Sequence, residues 1–495
     1  MRVFLMHKDK DFDIKQDLPH NSDILMNDLE LEVLLNAMSG EDDFLHDISK
    51  TAILSSLKSK EEVLYRQEIL KDCLKNPDII KEIYNLTIKS LAKKQENWLG
   101  VFGRYPASLL SSSVSLLGMY FELLRELRKI VDENIGRFDS AGFKRFFSMI
   151  QEELNDDYLE VVKEHLKELK FKKGVLISAK LSKANEGSNY TLRRDKMATK
   201  SWIGKVFTKK SKEYSHTLHP RDDAGAKVLR NLRDEGLNDI ANSLSSSATH
   251  VDNFFISLRR ELAFYIGCMN LDEKLQEIGC KWSYPKIAPK NSFNFLVRGL
   301  YDISLALVVD KKIISNDIDA KDKKLFIITG ANQGGKTTFL RSVGLAQLMM
   351  QCGMFVSSAS YETTLCSGVF THFKKEEDKE MKSGKFDEEL SRMSDIVDHV
   401  CSNALVLFNE SFASTNEAEG SQIAQQIIKA LIQKDIRIFF VTHMYELANY
   451  FHKKETQDTL FLRASRDKDG KRDFKIIKAP PLQTSFAKDI YDDIF

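Results

Sequence analysis

A glycine-rich loop between a strand and a helix constrains this chain more than any other stretch of it. Residues 325–329, LFIIT, are a short apolar run typical of a buried strand, and residues 330–337, GANQGGKT, match the pattern G-x-x-x-x-G-K-[ST]. From Thr338 onward the spacing of apolar residues predicts an amphipathic helix. Glycines let backbone amides close around phosphate oxygens, and a helix N-terminus adds partial positive charge. This order predicts a nucleotide site in an α/β domain; the alternative is a tight strand-to-helix turn that binds nothing.

The loop residues have expected roles in binding ATP and Mg²⁺. Lys336 is expected to reach the β- and γ-phosphates, and the hydroxyl of Thr337 is expected to ligate Mg²⁺. The other residues expected to contact the nucleotide are Gly330, Ala331, Asn332, Gln333, Gly334, Gly335 and Thr338.

Two further apolar runs are predicted to be neighbouring strands of the same sheet. Residues 404–408 run into Asn409 and Glu410, and IRIFFVTH ends at His443. A parallel sheet places the C-terminal ends of such strands beside the phosphate loop. Glu410 is then expected to act as the base that orients an attacking water, and His443 to contact the γ-phosphate or that water. Asn409 is expected at the metal.

The stretches GANQGGKTT, LVLFNESFASTNEAEG and FFVTHMYEL, in this order, resemble the ATPase domain of the MutS family of DNA mismatch repair proteins. The resemblance implies an α/β P-loop NTPase (ABC-type ATPase) domain, preceded by a mostly α-helical core and lever region. It also implies a homodimer in which a loop of each chain completes the partner's site and ATP moves the levers on DNA. The matching loop here is Ser414, Thr415 and Asn416.

The chain departs from the family pattern in three places. Asn409 stands where the family has Asp, and an amide loses a charge-assisted hydrogen bond worth about 1.5–3 kcal/mol. We therefore expect a working but slower ATPase; the alternative is a protein that only binds nucleotide. About twenty residues precede the helical region, so no mismatch-reading domain is expected there. Ile313 lies near the position where the family often stacks an aromatic residue on adenine.

The first half of the chain is predicted to be helical, with a domain boundary near residue 285. Residues 1–285 form the expected core and lever region, and residues 286–495 form the expected ATPase domain. Apolar residues between 237 and 269 alternate spacings of four and three, which predicts a long helix, either buried in a bundle or paired in a supercoil. The residues of this seam are Leu237, Ala241, Leu244, Ala248, Val251, Phe255, Leu258, Leu262, Tyr265 and Met269.

A basic insert at about 170–215 interrupts the helical region. Lysines and arginines dominate it, and two short runs have strand composition. Such a stretch can bind the DNA backbone through counterion release, and Tyr190 and Trp202 could stack on bases; the alternative is a solvated loop. We accordingly expect a DNA-binding ATPase acting in repair. The alternative is a nucleotide-gated protein-interaction dimer that does not bind DNA.

Composition and net charge argue against several other classes of protein. The net charge is +1, so the whole-protein field does not indicate a polyanionic partner. The six cysteines are scattered without a CxxC pair, which argues against a cysteine zinc site or a disulfide framework. The first residues lack a signal-peptide core, and no uninterrupted apolar run approaches membrane-spanning length. A cytoplasmic protein without a membrane partner is expected.

Overall fold

A computed structural model describes most of the chain, in two compact units. The described ranges are 1–98, 105–171, 174–182, 187–193, 214–290, 292–374, 384–454, 456–466 and 472–482. The helical unit comprises Met1–Val3, Asp78–Phe138 and Lys144–Arg259, and the sheet unit comprises Phe4–Pro77, Asp139–Phe143 and Arg260–Phe495. Residues 4–77 thus pack in the same unit as the glycine loop, so these units do not follow the boundary expected near residue 285. The assignment of 1–285 and 286–495 as domains remains a prediction.

The described ranges contain the following α-helices and strands. The helices are α1 (Ser22–Asp28), α2 (Leu31–Ser39), α3 (Asp43–Leu54), α4 (Lys60–Lys75), α5 (Pro77–Trp98), α6 (Pro106–Asn134), α7 (Ala141–Glu153), α8 (Asp156–Glu168), α9 (Asp223–Glu277), α10 (Ile303–Val309), α11 (Lys336–Gln351), α12 (Lys385–His399), α13 (Glu417–Gln433) and α14 (Tyr445–Lys453). The strands are β1 (Ile177–Leu181), β2 (Gly187–Leu192), β3 (Lys286–Ile287), β4 (Phe295–Leu300), β5 (Asn316–Ala320), β6 (Leu325–Thr329), β7 (Ser360–Thr363), β8 (Val369–Phe373), β9 (Leu405–Asn409), β10 (Arg437–Val441), β11 (Thr459–Arg466) and β12 (Arg472–Lys478).

The helical unit packs α6 and α8 against the first half of α9. Its core includes Leu110, Phe121, Leu166 and Leu237, all buried. Strands β1 and β2 pair antiparallel, which confirms the two strands predicted in the basic insert. Most of the insert's other basic residues, and Trp202, lie outside the described residues. The described part of this unit therefore positions a hairpin beside a helical core.

Helix α6 also satisfies a membrane criterion. Within the described ranges, one helical stretch, Pro106–Arg137, is long and apolar enough to cross a membrane by length and composition alone. Buried helices of a bundle satisfy the same criterion, and α6 contributes Leu110, Val114 and Phe121 to the core of the helical unit.

Helix α9 confirms the long helix predicted from the apolar seam. It has 55 residues and is about 80 Å long at about 1.5 Å per residue. Most seam residues are buried, including Leu237, Leu258, Leu262 and Tyr265, whereas Leu244 is half-buried. Burial of the seam inside the protein supports the bundle interpretation, since those side chains already have partners within the chain.

The sheet unit is built on a six-stranded sheet with the order β12-β11-β6-β10-β9-β8. The five strands from β11 to β8 are parallel, and β12 pairs antiparallel with β11. A second sheet has the order β3-β7-β4-β5. The strands β6, β9 and β10 are almost entirely buried, as expected for parallel strands covered on both faces. The presence of a mixed α/β sheet unit and of a helical unit confirms the predicted fold class at this level.

The segment before α1 is held by buried side chains of the sheet unit. Glu261 accepts hydrogen bonds from the amides of Leu5, Met6 (3.0 Å) and Phe12 (3.2 Å), and burial raises its pKa to about 7 although these bonds favour the anion. The guanidinium of Arg66 donates to the carbonyls of Met6 and Cys352. Residues 4–12 are therefore fixed without belonging to a helix or strand.

Candidate functional site

The ends of β6, β9 and β10 meet at one edge of the sheet. Val441 is in register with Ile328 of β6 and with Asn409 of β9. The amide of Glu410 donates to the carbonyl of Val441 at 2.9 Å, and the amide of Thr442 donates to that of Ile328 at 3.1 Å. The parallel register thus brings together the three loops that the sequence predicted to be neighbours.

The glycine loop has a backbone that most residues could not adopt. Gly330 has φ +119° and Gly335 has φ +86°, values in the region that favours glycine. A Cβ on Gly334 would lie 2.8 Å from the Cβ of Ala464, and one on Gly335 would lie 3.1 Å from the carbonyl of Phe474. Gly335 also precedes α11 without a side-chain cap, so the first-turn amides of α11 have no capping side chain and are oriented to bind an anion.

The ammonium group of Lys336 lies within the loop. It donates to the carbonyls of Gly330 at 3.0 Å and Ala331 at 2.8 Å. Burial lowers the pKa of Lys336 to about 8, and the charge of Glu410 acts in the opposite direction. The amine is therefore close to the place where phosphate oxygens would enter, and a bound anion would favour its charged form.

The side chains of Thr337 and Asn409 are in direct contact. The hydroxyl of Thr337 donates to Oδ1 of Asn409 at 3.1 Å. A hydroxyl oxygen and an amide oxygen are hard ligand atoms, of the kind that bind Mg²⁺ directly or accept hydrogen bonds from its bound waters. Both expected metal residues are consequently adjacent, and their donor atoms fit the ion.

Glu410 and His443 also meet at this edge. Nε2 of His443 lies 2.9 Å from Oε1 of Glu410. This hydrogen bond lowers the pKa of Glu410 below its usual value, although burial acts to raise it. The charges of His443, Lys336 and Lys374 lower the pKa further. Glu410 is therefore an ionised carboxylate, the form that a general base requires.

The loop expected to complete a partner's site is held by its own chain. Ser414 Oγ donates to Oε1 of Glu389 at 2.9 Å, and Thr415 Oγ1 donates to Oε2 of Glu419 at 3.0 Å. Asn416 caps α13, because its side chain accepts the amide of Glu419 at 3.0 Å. These contacts fix the loop at the start of α13, away from the direct contacts made by Lys336, Thr337 and Asn409.

A buried polar network that sequence reasoning missed joins the loop after Glu410 to α12. His372 of β8 is fully buried, which lowers its pKa to about 4, so the ring is neutral. Its Nε2–H donates to the carbonyl of Glu389 (2.9 Å), and Nδ1 lies 2.7 Å from Oγ of Ser411. The hydroxyl of Ser411 donates to the carbonyl of His372 at 2.6 Å. Glu389 is the same residue that accepts from Ser414. The network therefore connects the loop that follows Glu410 with Ser414. The sequence signal that could have indicated it is the histidine inside the apolar strand VFTHF.

Comparisons with known proteins point to one family. The family model described as "MutS2 N-terminal domain" matches residues 58–278, and the one described as "MutS domain V" matches residues 326–488. The chain is 29% identical over 338 residues to "DNA mismatch repair protein MutS" of Prochlorococcus marinus (strain MIT 9301), a match covering 60% of this chain and 33% of that protein.

Two other relatives match in the same way. Identity is 32% over 168 residues to "DNA mismatch repair protein MutS" of Clostridium botulinum (strain Okra / Type B1), covering 33% of this chain and 18% of the relative. Identity is 26% over 294 residues to "Putative endonuclease MutS2" of Bacillus subtilis (strain 168), covering 57% of this chain and 37% of the relative. The matches thus span 18% to 37% of the relatives' length. From the glycine loop, its companion strands and the two family models that together cover both halves of the chain, we conclude that this chain belongs to the MutS family.

Proposed function

We propose that the sheet unit binds ATP with Mg²⁺ and hydrolyses it, and that hydrolysis is slow. The observation that carries this proposal is the meeting of Thr337 with Asn409, and of Glu410 with His443, beside a glycine loop at one sheet edge. The names of the relatives and the match to MutS domain V support it. When bound, Mg²⁺ would supply charge that stabilises the transferring phosphoryl group.

Each residue of the site has a separate role in this proposal. Lys336 and the first-turn amides of α11 bind the phosphates, and Thr337 and Asn409 hold the metal's ligand shell. Glu410 accepts a proton from the attacking water, and His443 keeps the carboxylate ionised and oriented. Asn409 contributes a neutral oxygen in place of a carboxylate, which is the reason for expecting slow turnover.

We further propose a homodimer that binds DNA. Ser414, Thr415 and Asn416 would complete the partner's site, and the basic insert would contact the DNA backbone. The relatives named as DNA mismatch repair proteins support a role in repair, with residues 1–285 as core and lever and 286–495 as ATPase domain. A cytoplasmic location is part of the same proposal.

The DNA part of the proposal is tested by retention on DNA-cellulose at moderate salt, with and without ATP. We expect retention that weakens with salt and changes with ATP. Reversal of Lys209, Lys210 and Lys212 to Glu should weaken retention and flatten its salt dependence. A protein that hydrolyses ATP but passes through the column would instead be the nucleotide-gated interaction dimer.

A further inference from the structure

Two histidines and an aspartate from distant parts of the sequence converge on the surface of the sheet unit. His20 lies just before α1, and Asp395 and His399 lie one turn apart on α12. Nε2 of His20 is 3.0 Å from Oδ1 of Asp395, and Nδ1 of His399 is 3.7 Å from the same oxygen. One ligand atom from each of the three side chains lies within 4.8 Å of the others. This cluster is separate from the predicted nucleotide site and uses none of its residues.

The backbone on both sides of the cluster is fixed. Asn21, next to His20, is buried and donates from Nδ2 to the carbonyl of Val369 at 2.8 Å. The amide of Ser22 donates to the carbonyl of Pro19 at 2.9 Å, so His20 lies inside a closed turn. On the other side, α12 is anchored by the buried side chains of Met393 and Ile396. Binding a ligand here requires movement of side chains only, because the chain segments that carry them are already in place.

The chemistry of the cluster suits a metal better than an ion pair. The two imidazole rings stack with centroids 4.2 Å apart and planes 10° apart, so their in-plane lone pairs run nearly parallel and one ring must rotate before both can bind the same ion. Protonating both would place two positive charges face to face with one carboxylate to balance them, whereas two neutral rings and a carboxylate offer lone pairs to a cation. Nδ1 of His399 also lies 2.8 Å from the carbonyl of Asp395, to which it can donate only when it carries the proton; in that tautomer Nε2 is the nitrogen free to bind the ion.

We propose that His20, Asp395 and His399 bind a divalent transition-metal ion such as Zn²⁺, with water in the remaining position. Imidazole nitrogens with one carboxylate select zinc and its neighbours over Mg²⁺ or Ca²⁺, which prefer oxygen ligands. The bound ion would fasten the segment before α1 to α12. Helix α12 also carries Glu389, which accepts the hydrogen bond of Ser414.

The experiment is a titration of the metal-free full-length chain with Zn²⁺ by calorimetry, and with Co²⁺ by visible absorption. We expect one site per chain, thermal stabilisation by Zn²⁺ and, with Co²⁺, a visible absorption band. His20→Ala and Asp395→Asn each remove a ligand, and should weaken binding by at least the ~100-fold seen for loss of strong outer-shell partners.

His46→Ala is the matched control. His46 is also a histidine beside carboxylates, with Nε2 3.1 Å from Oε1 of Glu32, but it belongs to no three-residue cluster within the described ranges. Its replacement should leave Zn²⁺ affinity unchanged. All the replaced side chains are surface residues, and circular dichroism checks that each variant folds. The proposal is overturned if the unmodified chain binds no Zn²⁺ at micromolar concentrations, or if the His20 and Asp395 variants bind it as tightly as the control. ATP takes no part in this assay, so its outcome is independent of the proposed ATPase function.

Discussion

Replacing Asn409 by aspartate should make the proposed ATPase faster. Oδ1 of Asn409 already accepts the hydroxyl of Thr337 at 3.1 Å, and aspartate keeps that oxygen while adding a charge. A neutral hydrogen bond contributes about 0.5–1.5 kcal/mol and one to a charged group about 1.5–3 kcal/mol, so the change is worth about 1–1.5 kcal/mol. At about 1.36 kcal/mol per factor of ten, this corresponds to roughly a five- to twelvefold gain.

The assay is phosphate release at saturating ATP while Mg²⁺ is varied. Asn409→Asp should raise the turnover number, lower the Mg²⁺ concentration for half-maximal activity, or divide the gain between the two. Asn409→Ala, which removes the oxygen that Thr337 contacts, should change both in the opposite direction. The reasoning is refuted if folded Asn409→Asp protein shows neither change, because Asn409 would then not act on the metal. The nearby negative charge of Glu410 is the main opposing effect, and His443 and Lys336 already offset it.

Three other predictions follow from the same contacts. Glu410→Gln should abolish turnover in a phosphate-release assay while ATP still binds, since the amide cannot accept the proton; unchanged turnover would reject the assignment. ATP affinity, measured by calorimetry, should fall by up to about tenfold per pH unit above pH 8, because the pKa of Lys336 is about 8 and the charged amine binds phosphate; constant affinity from pH 7 to 9 would contradict this. Ser414→Ala removes the hydrogen bond to the buried carboxylate of Glu389 and should lower the free energy of unfolding, measured in urea, by about 1–3 kcal/mol. Thr415→Ala removes a more exposed hydrogen bond and should lower it by less than about 1 kcal/mol. Equal losses in the two variants would count against the network.

The glycine loop and its strands could be predicted because each has a local signature. β6 begins at the predicted residue, and β9 and β10 lie where two apolar runs end in polar residues. The long helix α9 was predicted for the same reason, since its periodicity persists over many turns. The family prediction is confirmed by the two family models. The assigned roles of the site residues remain predictions.

The contacts between distant segments could not be predicted. His372 and Glu389 carry no motif, and they meet only because β8 pairs with β9 and α12 packs against the sheet. His20 is 375 residues from Asp395 in the chain, so no spacing rule relates them. Residues 4–77 pack in the same unit as the glycine loop, held by buried groups such as Glu261. The partners of Glu261 are backbone amides, which nearly every residue has, so the sequence carries no sign of these contacts. Tertiary packing, which a periodic pattern does not encode, decides all three.

The most direct test of the central claim is equilibrium binding of labelled ATP in the presence of Mg²⁺, compared between the unmodified chain and Lys336→Ala. The account predicts one ATP bound per chain, and a large loss of affinity in the variant, because Lys336 is the cation held inside the glycine loop. Failure of the unmodified chain to retain ATP, or equal retention by the two proteins, would contradict the account.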